Sequence, residues 1–167
     1  MSSSPDMVMY EEEYQKIKSI ITRLRGESNA KLVFLVDKNG QQIAVQGDLE
    51  NFDATSLASL TAGNVAATDG LAKLIGEKEF SILFHEGEKD NIHISIVAQR
   101  VILVVIFDSR SSLGLVRLRV KKASVELTEV FERVVRKIKT ERESGSLEEE
   151  SPFAEITDED IDSLFSE

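Results

Sequence analysis

Apolar residues at Tyr10, Tyr14, Ile17, Ile21 and Leu24 follow steps of three and four. That spacing predicts one buried face of a helix over about residues 8–24, with Gly26 as its stop. The period then changes. Leu32-Val33-Phe34-Leu35-Val36 is a β-branched and aromatic run that reads as a buried strand. Asp37-Lys38-Asn39-Gly40 follows it, and Asn-Gly readily takes positive φ at two successive positions, as a tight hairpin turn requires. The return strand covers residues 42–46, with Ile43 and Val45 on one side.

Asp53 is placed to cap a second helix that runs to about Ile75 and ends at Gly76. Residues 81–86 form a third strand. In the fourth, Ile92, Ile94 and Ile96 alternate with His93 and Ser95. Such alternation marks a half-buried antiparallel strand, with His93 turned away from the core toward a surface or interface. Ala98-Gln99-Arg100 turns the chain again. Val101–Phe107 is apolar at every position, so it predicts a central strand covered on both faces. A last helix begins near Leu113, its inner stripe formed by Leu113, Val116, Val120, Ala123, Leu127, Val130 and Val134. Its opposite side carries Arg117, Lys121, Glu129, Arg133, Arg136 and Lys137.

The order α-β-β-α-β-β-β-α predicts an α+β fold, a three-layer α/β/α sandwich around a five-stranded antiparallel sheet. The second helix covers one sheet face and the two terminal helices share the other. The expected organisation is a loose N-terminus over 1–7, one domain over 8–142, and an acidic tail over 143–167.

Charge sharpens that division. The formal net charge is -10, yet residues 1–142 hold 20 basic and 20 acidic side chains, and residues 143–167 hold ten acids and no base. The body offers no net field to nucleic acid and the tail repels phosphate, so nucleic-acid binding is not expected. Within the tail, Phe153, Ile156, Ile161, Leu164 and Phe165 stand among the acids. Such a segment lacks the composition for a core, but it can fold onto a partner as an amphipathic helix, with Thr157 as cap.

The candidate chemistry is sparse. The chain has no cysteine, which removes disulfides, thiol catalysis and thiolate metal sites. It has no phosphate-binding glycine loop, dinucleotide fingerprint or nucleophile elbow. Asp37 and Asp108 end strands and read as turn formers rather than metal ligands or paired acids. His85 and His93 lack companions at ligand spacing. Arg110, in the loop Asp108-Ser109-Arg110-Ser111-Ser112, is the residue type that can stabilise transition-state charge in a GTPase, but an exposed loop arginine is the simpler reading. No cofactor and no enzymatic activity are expected. The start of the chain has no basic-then-apolar leader, and the longest apolar run is far shorter than the roughly 20 residues of a membrane span. A cytoplasmic location follows.

The second helix holds the remaining signal. Ala58, Ala62 and Ala66 recur on one side, with Gly63, Ala67 and Gly70 one step round. Gly63 and Gly70 each cost about 1 kcal/mol of helix stability against Ala. A helix apolar nearly all round is covered on more than one side. Leu57, Leu60, Leu71 and Leu74 are assigned to the sheet, and Ala62, Gly63, Ala66, Ala67 and Gly70 to an outer surface that lets a second chain approach, giving at least a dimer.

This order of elements, with Leu60-Thr61-Ala62-Gly63-Asn64-Val65-Ala66-Ala67-Thr68 in the second helix and Phe107-Asp108-Ser109-Arg110-Ser111-Ser112-Leu113-Gly114-Leu115-Val116 leading into the third, resembles the Roadblock/LC7 family over about residues 8–140. The resemblance implies a homodimer joined through its second helices and a neighbouring strand. It also implies action on a Ras-like small GTPase of the MglA type in its GTP-bound form, two regulators to one GTPase, in bacterial cell polarity and gliding motility, with the cell poles as a location. It implies faster GTP hydrolysis without an inserted arginine, by favouring a GTPase conformation whose own catalytic residues are in place. The stripe Ala62, Gly63, Ala66, Ala67 and Gly70 then serves as dimer and GTPase surface. The tail residues Phe153, Ile156, Ile161, Leu164 and Phe165 dock on the GTPase, strengthening the complex or promoting exchange. The alternative is a structural adaptor of the same fold that binds partners without altering GTP turnover.

Overall fold

The computed structural model describes residues 11–144. Residues 1–7 and the tail positions Phe153, Ile156, Ile161, Leu164 and Phe165 lie outside the described residues. The elements, in chain order, are α1 (Glu11–Ser28), β1 (Leu32–Asp37), β2 (Gln42–Gly47), α2 (Ala54–Leu74), β3 (Ile82–Glu86), β4 (Asn91–Val97), β5 (Val101–Phe107) and α3 (Leu113–Ser144). All strand pairs are antiparallel, in the spatial order β2-β1-β5-β4-β3. This is the predicted order and sheet, and β5 is its centre.

Two cores flank the sheet. On one face, Ile17, Ile21 and Leu24 of α1 and Val116, Val120, Ala123, Leu127 and Val130 of α3 pack on Val33, Leu35, Leu103, Val105 and Phe107. On the other, Ala58, Ala62 and Val65 of α2 pack on Leu32, Phe34, Ile94, Ile102, Val104 and Ile106. Successive strand side chains point to opposite faces, so β5 feeds both cores and all seven of its residues are buried. The terminal helices are also joined by charge. Arg23 pairs with Glu126 and Glu27, and Arg119 with Glu27.

Four local expectations change. First, α1 runs through the exposed Gly26 and stops at Asn29 (φ 54), where Asn29 N–H donates to Gly26 O and Ala30 N–H to Arg25 O. Asn tolerates this left-handed stop, and Gly26 has only open space around it. Second, the hairpin turn uses one positive φ, at Gly40 (φ 89), because the Asp37 carboxylate accepts from both Asn39 N and Gln41 N and holds the loop. Third, Ile43 and Val45 do not share a face. A register shift between Leu35 and Val36 leaves Ile43 against the α1/α3 core while Val45 packs on the α2 side. An extra bulged residue reverses the alternation beyond it.

Fourth, His93 is fully buried rather than superficial. It faces away from the isoleucines, as alternation requires, but that side of β4 belongs to the layer that α1 and α3 cover, with Phe84 and Val105 as its cross-strand neighbours. Neither ring nitrogen has a hydrogen-bond partner, and Ser95 Oγ on the same face has none. Burial, reinforced by the charge of Arg117, holds the imidazole pKa below its ordinary value.

Candidate functional site

The outer side of α2 is the surface that the fold leaves unexplained. Asp53 caps the helix, its carboxylate accepting from Ser56 N at 3.2 Å, and Gly76 (φ 83) follows its end. The inward stripe is Ala58, Thr61, Ala62, Val65 and Ala72. Small residues here have an internal reason. A Cβ on Gly40 would lie 3.3 Å from Ser59 Cα and 3.7 Å from Ala62 Cβ, so the β1–β2 turn presses directly on the helix. Ala62, predicted for the outer surface, therefore sits beneath the helix at 8% exposure.

The large residues take the opposite side. Leu60 (73% exposed), Leu71 (60%), Leu74 (82%) and Ile75 (68%) face outward. Of the four leucines assigned to the sheet, only Leu57 packs against it. The physical reason is the close seat of the helix. The stripe that meets the hairpin turn must be small, and that choice rotates the leucines out. Gly63, Ala66, Ala67 and Gly70 are exposed as predicted, and a Cβ on Gly63 or Gly70 would meet nothing within 4 Å. Nothing inside the described chain requires glycine there.

The helix lies beside the edge of the sheet. β3 is the outermost strand; its His85, paired with Ile92, lies on the sheet face that α2 covers, whereas the half-exposed Ile82, paired with Ser95, lies on the opposite face. The Asn64 amide lies 3.3 Å from His85 Nε2, tying α2 to β3, and Thr68 Oγ1 donates to Asn64 O. Helix and edge strand thus adjoin. Leu60, Leu71, Leu74 and Ile75 were missed as site residues. The available signal was their place outside the 58-61-65-72 stripe.

Arg110 lies elsewhere and is engaged. Its Nε donates to Asp108 Oδ1 at 3.1 Å and Oδ2 at 3.2 Å, and its backbone N to Oδ1 at 3.0 Å. These hydrogen bonds lower the Asp108 pKa and raise that of Arg110. Asn29 Nδ2 holds the Arg110 carbonyl at 2.7 Å. Asp37 and Asp108 both serve as turn formers in this way. Among the described residues no group of three or more His, Asp or Glu is placed to hold a metal, and no helix is long and apolar enough to cross a membrane. The arrangement suits docking. A broad apolar patch without acid–base pairs can bind a partner and bias its shape.

Comparison with known proteins agrees with this architecture. The Roadblock/LC7 domain matches residues 16–107. The chain is similar to Myxococcus xanthus MglB, at 65% identity and a TM-score of 0.71, over 73% of this chain and 92% of that one. It is similar to the gliding protein MglB of Thermus thermophilus, at 32% identity and a TM-score of 0.66, over 71% and 90%. A structure described as MglB with tetrameric arrangement is 31% identical, with a TM-score of 0.67, over 71% and 89%. No curated protein matches the chain. The chain belongs to the Roadblock/LC7 family.

Proposed function

We propose that this chain is a non-catalytic, homodimeric regulator that accelerates GTP hydrolysis by a Ras-like small GTPase of the MglA type, in bacterial cell polarity and gliding motility. The observation that carries the reading is the 65% identity to Myxococcus xanthus MglB across 92% of that chain. The exposed α2 surface supports the mode of action. A soluble domain rarely leaves so many large apolar side chains on one contiguous patch without a partner. Two copies meet through this face and the β3 edge, with Gly63, Ala66, Ala67 and Gly70 allowing close backbone approach. The rest of the α2 surface receives the GTPase.

A regulator without chemistry works through differential affinity for two conformations of its target. Moving a rare GTPase conformation to dominance takes about 5 kcal/mol, within reach of a packed helix face. Engagement of Arg110 by Asp108 supports a mechanism without an inserted arginine. The tail residues Phe153, Ile156, Ile161, Leu164 and Phe165 add a second contact to the GTPase. The test is single-turnover GTP hydrolysis by an MglA-like GTPase, alone and with this chain. The expected result is a rate increase that saturates at two copies per GTPase and survives Arg110→Ala. Tight binding with an unchanged rate would instead make the chain a scaffold. Deleting residues 147–167 is expected to weaken the complex or slow nucleotide exchange.

A further inference from the structure

The outer face of α3 is a second surface that the proposed function does not use. Leu118 and Val125, seven residues apart and so on one helical face, are 62% and 61% exposed. Arg117, Lys121 and Lys122 surround them, and Arg133 and Arg136 continue the face toward the end of the helix. All five cations are exposed, and none forms an ion pair among the described residues. The exposed Glu129 lies on the same side, one turn beyond Val125, so the face is net basic, five cations to one exposed acid, with an apolar centre.

We propose that the acidic C-terminal segment of the same chain seats on this face, running back along α3. Three observations select that occupant. Charge is the first: residues 145–167 hold nine acids and no base, and follow α3 directly. Pattern is the second: apolar Phe153, Ile156, Ile161 and Leu164 are interleaved with those acids, matching an apolar centre edged by cations.

Reach is the third. Val125 lies about 28 Å up the helix from Ser144 at 1.5 Å per residue. The stretch from Ser144 to Phe153 spans about 30 Å when extended. Glu148, Glu149 and Glu150 then pass Arg136 and Arg133, and Phe153 arrives at Val125. A helical turn or two beyond, Ile161 lies about 12 Å further on, against about 10 Å from Val125 to Leu118. Tethering supplies an effective concentration in the millimolar range, so even weak contacts keep the seat occupied. Any partner that takes the tail's apolar residues must first lift them from α3.

The absence of cysteine makes the test direct. Ser163→Cys in the full chain carries a nitroxide, and amide intensities of isotopically labelled protein are read with the label oxidised and reduced. Amides 117–125 are expected to lose at least half their intensity when it is oxidised. A mixture of spin-labelled, isotope-free protein with isotopically labelled, spin-free protein is expected to show no loss. Lys121→Glu with Lys122→Glu, and separately Leu118→Ser with Val125→Ser, change exposed positions and are expected to restore the intensities. Undiminished α3 amides, a loss centred on another element, a loss seen only in the mixture, or a loss unmoved by both variants would each overturn the proposal.

Discussion

Two alanines one helical turn apart separate folding from assembly. Ala62 is 8% exposed beneath α2, whereas Ala66 is on the outer surface. Ala62→Arg forces a guanidinium between the helix and the β1–β2 turn, where Gly40 already leaves no room for a Cβ without contact at 3.3 Å. Burying an unpaired charge costs about 5 kcal/mol or more, comparable with the whole stability of a small domain. Ala66→Arg adds a side chain to open surface and changes protomer stability by about 0.5 kcal/mol or less. In a two-fold dimer the substitution appears twice. Two charges desolvated at the centre of an apolar interface cost about 4 kcal/mol, roughly a thousand-fold in dissociation constant. Denaturant unfolding at fixed protein concentration and sedimentation equilibrium read the two quantities separately. Ala62→Arg should unfold or lose most of its stability. Ala66→Arg should sediment as a folded monomer with unchanged circular dichroism and should fail to accelerate GTP hydrolysis. An Ala66→Arg protein that dimerises with undiminished affinity would refute the assignment of this face, and an Ala62→Arg protein of normal stability would refute the seat of the helix.

Other expectations follow from the buried polar groups and the turns. His93 is held neutral, its pKa depressed below the ordinary 6.5 by burial and then by Arg117, so the unfolded chain takes up the proton first as pH falls. Its contribution to stability is intact above pH 6.5 and declines below it, by up to about 1.4 kcal/mol per pH unit until the folded-state pKa is reached. Unfolding curves across that window should show a shallower decline in His93→Leu, and equal slopes would count against the buried neutral ring. Glu13 is 2% exposed and bound by Lys137 Nζ at 2.5 Å. Burial alone raises its pKa, but the Lys137 hydrogen bond, its own backbone N–H and the charges of Lys137 and Lys16 lower it on balance. Lys137→Met should cost about 2–3 kcal/mol by stranding the carboxylate, and adding Glu13→Leu should recover most of it in chemical denaturation. The β4–β5 turn places Ala98 (φ 52) and Gln99 (φ 60) in the left-handed region. Ala98→Asn with Gln99→Gly should stabilise the protein by about 1–2 kcal/mol, read as a shift in thermal midpoint.

Element order, the central place of β5 and the inner stripe of α3 were legible in the sequence because each rests on local periodicity. Seven unbroken apolar residues admit only a strand covered twice, and heptad-like steps admit only a helix with one buried face. The Asp53 cap was legible for the same reason, since a cap acts within one turn. Tertiary structure decided what depends on fit between elements. Alternation revealed that His93 opposes the isoleucines, but only the assembled layers show that α1 and α3 cover that side as well. A bulge opposite Leu35 and Val36 moved Ile43 across the sheet, a slip that no alternating pattern records. The second helix is apolar nearly all round, so composition alone did not say which face meets the sheet. The close approach of the Gly40 turn made that choice, drawing Ala58 and Ala62 inward and leaving Leu60, Leu71 and Leu74 outside. Rotation of an all-apolar helix is set by the shape of what it packs against, and that shape exists only once the sheet has formed.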